Sequence, residues 1–68
     1  MYKSRLKFMR ELKKMSQSEL ASKSGVSLRL IQAYEQGYRD INEAQVVKVL
    51  SLAETLDCDV YEIINNRQ

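Results

Sequence analysis

The 68-residue chain has no proline, no histidine, a single cysteine and two glycines, and each shortage removes a class of explanation. With no histidine and only Cys58, neither an internal disulfide nor a cysteine or histidine metal cage can be assembled. The same shortage leaves no nucleophile and base to pair, in a chain too short for a deep cleft. The expectation is a protein that is not an enzyme and needs no cofactor. Cys58 stands between Asp57 and Asp59, whose carboxylates disfavour a thiolate, so it reads as a small packing residue suited to a reducing cytoplasm. No apolar run approaches the roughly 18 residues of a membrane span. The start, MYKSRLKFMRELKK, is broken by charge every few residues and lacks the apolar stretch of a signal peptide. It reads instead as the solvated face of a core helix, and the expectation is a soluble, cytoplasmic protein.

What is present fits a small helical unit. A length of 68 residues, 44% of them apolar, sets one domain, residues 1–68, as the ceiling. The net charge of +2 conceals an asymmetry. Residues 1–39 hold nine basic and three acidic side chains, and residues 40–68 hold two basic and six acidic. A basic first part backed by an acidic remainder fits a protein that meets phosphate in one orientation.

Without proline, and without any long polar–apolar alternation, the chain reads as all-α. Five short helices are expected. The first covers about residues 2–14, with Tyr2, Leu6, Met9 and Leu12 as its apolar stripe and Phe8 off that stripe. Ser16 and Glu19 have the spacing of a capping box, in which hydroxyl and carboxylate each satisfy a free amide, so the second helix starts near Gln17. Ser24-Gly25 ends it, glycine tolerating the left-handed backbone of a tight turn. Ser27 caps the third helix, LRLIQAYEQ, which stops at Gly37. Asn42 with Gln45 forms a further box before a fourth helix whose apolar face is Val46, Val49, Leu50, Ala53 and Leu56. Asp59 with Glu62 opens a last short helix carrying Val60, Ile63 and Ile64.

Two short helices joined by a glycine turn form a helix-turn-helix over about residues 16–37, the unit that lays its second helix in the major groove of DNA. Around the third helix, at about 100° per residue, Leu30, Ile31 and Tyr34 gather on one side and Leu28, Arg29, Gln32 and Gln36 on the other. The first set anchors, and the second is free to read bases.

The segment SQSELASKSGVSLRLIQAYEQG resembles the helix-turn-helix of the Cro and phage-repressor family, also called XRE-like. Its pattern, S/T-Q-x-E-L-A-x-x-x-G-V-S-x-x-x-I-x-x-x-E-x-G, is met at every fixed position. The resemblance implies a five-helix, lambda-repressor-like fold in which Gln17 clamps a DNA phosphate at the start of the second helix. It further implies that Ser27, Leu28, Arg29, Gln32 and Ala33 face the groove and that Tyr38 and Arg39 touch backbone phosphate. Arg10 would pair with Glu35 structurally, and Ala21, Gly25, Val26 and Ile31 would serve packing and turn geometry. Arg29 suits guanine, Leu28 a thymine methyl, and Gln32 an adenine or a phosphate. The chain departs from the family at Lys14, where many members have glycine, and in RDINEAQ, about three residues longer than the usual connection.

The expected function is sequence-specific binding of double-stranded DNA by a prokaryotic or phage-type transcriptional regulator, a repressor, working as a homodimer on paired half-sites. The alternative is an antitoxin or protein-interaction module that meets a protein partner through the surface of its last two helices.

Overall fold

The structure, a computed structural model, describes residues 4–64. Four α-helices follow one another: α1 Arg5–Leu12, α2 Gln17–Ser24, α3 Leu28–Gln36 and α4 Val46–Thr55. Two single 3-10 turns, Ile41–Glu43 and Val60–Glu62, complete the order, and there is no strand among the described residues. The expected fifth helix is thus one 3-10 turn rather than an α-helix. Its capping geometry survives in part, with the Asp59 amide donating to Glu62 Oε2 at 3.4 Å.

The first three helices start on serines. Ser4, Ser16 and Ser27 each accept a hydrogen bond from the backbone amide three residues on, at 3.0 to 3.1 Å, which satisfies one of the donors left over at a helix start. At Ser16 the serine half of the expected box forms, while the Glu19 carboxylate pairs with Lys23 at 3.0 Å. Gly25 (φ 78°) and Gly37 (φ 85°) end α2 and α3 in the left-handed conformation. A Cβ on Gly25 would meet nothing within 4 Å, so backbone angle rather than space makes glycine fitting there. Lys14 occupies the same region at φ 59°. The position where the family pattern leads one to expect glycine therefore keeps its left-handed turn without one.

Three expectations need correction, on α1, at Asn42 and on α4, and the place of Phe8, off the stripe, is settled. Helix α1 ends at Leu12, whose side chain is 60% exposed, because only Leu6 and Met9 of the apolar stripe reach the core; Tyr2 lies outside the described residues. Phe8 is exposed, with the Arg5 guanidinium 4.8 Å above its ring. Asn42 is not the N-cap of α4: that position is Gln45, with no side-chain cap hydrogen bond, while Asp40 caps the turn Ile41–Glu43 by accepting from the Asn42 backbone amide at 2.9 Å. On α4 the buried residues are Val49, Leu52, Ala53 and Leu56, whereas Val46 is 71% and Leu50 48% exposed.

The core joins Leu6, Met9, Leu20, Val26, Ile31, Tyr34, Ile41, Val49, Leu52, Ala53, Leu56 and Ile63. Helix α2 packs on both α3 and α4, and α1 packs on α3, so α3 is held from behind along its length. The lengthened connection becomes a single turn that buries Ile41 as a plug. No helix among the described residues is long and apolar enough to cross a membrane.

Candidate nucleic-acid interface

Helix α3 divides cleanly into two faces. Ile31, Tyr34 and Glu35 are buried, Leu30 is half-buried, and Leu28, Arg29, Gln32 and Gln36 are exposed. That division follows from the sequence LRLIQAYEQ, in which apolar residues recur at helical spacing on one side only. Leu28 is the one large apolar group on the outer face, at 37% exposure. The outer face is otherwise polar, with one cation, and it lies clear of the core.

Ser27 sits exposed at the start of α3, where its hydroxyl oxygen accepts from the Leu30 amide at 3.1 Å. Its O–H hydrogen is still available to donate. Ala33 is half-buried, and its carbonyl accepts from the amides of Tyr38 (2.9 Å) and Arg39 (3.3 Å). These two bonds fold the chain back at the end of α3 and hold the exposed Tyr38 and Arg39 beside it. Arg39 lines a cleft of about 310 Å³ with Tyr34, Tyr38, Asp40, Glu43 and Ala44. The longer connection thus brings two carboxylates next to a cation that the resemblance assigns to phosphate. Ala21 is half-buried on α2, and its carbonyl accepts from the Gly25 amide at 3.0 Å.

Beneath α3 lies a buried ion pair. Arg10 of α1 donates from Nε to Glu35 Oε2 at 2.7 Å and from Nη2 to Glu35 Oε1 at 3.0 Å, a two-pronged pairing that suits the planar guanidinium. The third nitrogen, Nη1, donates to the Met15 carbonyl at 2.7 Å, tying the pair to the turn between α1 and α2. The hydrogen bond to Glu35 outweighs the cost of burial and holds the Arg10 guanidinium above its already high ordinary pKa. No buried side-chain nitrogen or oxygen among the described residues lacks a partner.

The ion pair also reaches the surface. Gln17, half-buried at the first position of α2, donates from Nε2 to Glu35 Oε1 at 2.9 Å, and its Oε1 accepts from Gln32 Nε2 at 3.4 Å. Four of the residues singled out from the sequence, Arg10, Gln17, Gln32 and Glu35, therefore form one connected chain of side chains. The family resemblance paired Arg10 with Glu35 but did not connect them to Gln17 and Gln32. Those contacts cross between helices, and no local spacing encodes them. Burial, and next the Glu62 carboxylate, push the Cys58 thiol up, with Lys13 opposing and Asp59 and Asp57 adding less.

A family model described as helix-turn-helix matches residues 6–63. The fold is similar to the crystal structure of the restriction-modification controller protein C.AhdI from Aeromonas hydrophila, with 34% identity and a TM-score of 0.75. That match covers 85% of this chain and 83% of the controller protein. No curated protein sequence matches the chain.

Proposed function

The chain belongs to the helix-turn-helix family of XRE-like DNA-binding transcriptional regulators, and from that premise we propose that it is a sequence-specific repressor, working in the cytoplasm as one domain over residues 1–68. The observation that carries this reading is the outer face of α3, where Leu28, Arg29, Gln32 and Gln36 stand exposed over a buried anchor of Ile31, Tyr34 and Glu35. A helix held so firmly from behind can enter the major groove without rearranging the core. Arg29 in its first turn suits guanine, Leu28 suits a thymine methyl, and Ser27 and Ala33 flank them. Gln17 takes a phosphate at the start of α2, while Tyr38 and Arg39 meet the backbone beyond α3. The likeness to a restriction-modification controller protein supports a regulator that acts on a gene set of that kind.

The repressor acts as a homodimer. Half-sites on opposite halves of an operator lie about 34 Å apart, and the described chain measures 30 Å along its longest axis. A second recognition helix at that spacing therefore comes from a second copy. Val46 and Val47 (74% exposed) supply an apolar surface on α4 for that contact.

The deciding experiment selects bound sequences from a random duplex library at two salt concentrations. A palindromic site enriched at both supports the reading, and recovery of random sequence at low salt alone overturns it. On the enriched site, Arg29→Ala is expected to cost about 1 to 3 kcal/mol while leaving binding to random DNA much less affected. An equal loss on both would move Arg29 to the phosphate contacts.

A further inference from the structure

Gln32 shares the outer face of α3 with Arg29, which makes it a natural reader of bases. Its side chain is already engaged, however, with Nε2 directed to Gln17 Oε1 at 3.4 Å. Gln17 in turn donates Nε2 to Glu35 Oε1 at 2.9 Å, on the same oxygen that accepts from Arg10 Nη2 at 3.0 Å. The chemistry gives this chain a direction. A carboxylate only accepts hydrogen bonds, so the edge of the Gln17 amide turned toward Glu35 must be its NH2. The opposite turn of the amide would set two oxygens against each other in a partly buried site. With the NH2 fixed, Oε1 faces outward and requires a donor, and Gln32 supplies it.

We propose that Gln32 is a positioning residue for Gln17 rather than a reader of bases, the outer link of a one-way donor chain from Gln32 through Gln17 to the Glu35–Arg10 pair. The amide nitrogen of Gln17 carries two hydrogens, and Glu35 takes one. With both Oε1 and that first hydrogen held, the second hydrogen is presented in one direction, toward the DNA phosphate assigned above to Gln17. The inference rests on that assignment. At 3.4 Å and exposed, the Gln32 contact is long for an N–H···O bond and adds little to folding. Its consequence is orientation.

The test uses the full chain, the enriched duplex and a random duplex of equal length, with Gln32→Ala, Gln17→Ala and the double variant. Gln32→Ala is expected to weaken both duplexes by one common factor, about 3- to 10-fold for a hydrogen bond's worth of positioning. The enriched sequence should not change, and the salt dependence should keep its slope, since a neutral amide displaces no condensed cation. The double variant should bind no more weakly than Gln17→Ala alone, because Gln32 acts only through Gln17. The melting midpoint of Gln32→Ala should equal that of the parent. A shift in base preference at one position, with random-duplex binding retained, overturns the inference and makes Gln32 a reader. Additive losses, or a fall in midpoint that accounts for the loss of binding, overturn it too. A parent chain that enriches no site overturns the underlying reading as well, which separates the two failures.

Discussion

Up to Gly37 each helix starts on a serine that accepts an amide hydrogen bond, and α2 and α3 both end on a left-handed glycine. Beyond Gly37 the one described α-helix starts on Gln45 with no side-chain cap and ends on Leu56. The first region fixes its helix ends by local hydrogen bonds written into the sequence. The second fixes α4 by burial, with Leu52 and Leu56 fully enclosed and the flanking segments reduced to single 3-10 turns. A region held by caps can keep its recognition helix in register while its outer face varies. A helix held by burial alone, as α4 is, has ends and a facing direction that depend on what it packs against.

The largest effect that sharpens this contrast is expected at the ion pair beneath α3. Glu35→Ala leaves the Arg10 guanidinium buried without its carboxylate, and removing one partner of a buried pair costs about 3 to 5 kcal/mol. Urea unfolding monitored by circular dichroism should show that loss, enough to unfold a chain of this size in part. Replacing both partners, as in Arg10→Met with Glu35→Leu, should recover most of it. If the double variant is as unstable as Glu35→Ala, the pair's hydrogen bonds to Met15 and Gln17 carry the stability instead.

In the second region the test is which face of α4 holds it. Leu52→Ala should cost about 2 to 5 kcal/mol, as for other buried leucines cut to alanine. Leu50→Ala, half-exposed two residues earlier, should stay within about 0.5 kcal/mol in the monomer. Melts of the two variants decide it, and equal losses would mean that α4 does not turn the Val49, Leu52 and Leu56 face inward.

That helix shows where the sequence stops being legible. The segment VVKVLSLAET is apolar around most of its circumference, so two stripes at helical spacing fit it. The stripe through Val46 and Leu50 is rotated about 105° from the buried one through Val49, Leu52 and Leu56. Periodicity alone cannot choose between stripes that both look apolar. On α3, LRLIQAYEQ offers a single apolar side, and Ile31 and Tyr34 are buried as their spacing implies. The helix-turn-helix was readable because its turn, caps and anchor are all local. Ile41 was not, since a lone apolar residue in a polar connection becomes core only through the turn that Asp40 caps. Nor was the Gln17–Gln32 contact, which depends on how two helices cross.

A smaller effect comes from pH, with one group in each region. Burial raises the pKa of Tyr34 above its ordinary 10.0, against the pull of Arg39. Burial and Glu62 raise Cys58 above its ordinary 9.0. In both cases the folded chain holds the proton more tightly than the unfolded chain, so unfolding releases protons and stability falls as pH rises. The contribution is fully present below the unfolded value and disappears as pH climbs through the folded one. Urea midpoints from about pH 7 to 11 should be level at first and decline beyond about pH 9. Cys58→Ala should remove the earlier part of the decline and Tyr34→Phe the later part. A curve unchanged by both substitutions would assign the decline to other groups.

The smallest effect compares the two non-glycine residues that lie in the left-handed region among the described residues, one on each side of the divide. Lys14 has φ 59° and Asp57 φ 54°. An L-residue there pays about 1 to 2 kcal/mol that glycine avoids, while glycine gives back part of that gain through the greater freedom of the unfolded chain. Lys14→Gly should therefore raise stability by about 0.5 to 1 kcal/mol, seen as a rise in melting temperature. Asp57→Gly should gain less, because aspartate tolerates this conformation through local hydrogen bonding of its short side chain. If Lys14→Gly destabilises instead, the lysine contributes something at that turn beyond its backbone angle. The turn that carries the Met15 carbonyl to Arg10 Nη1 would then depend on it.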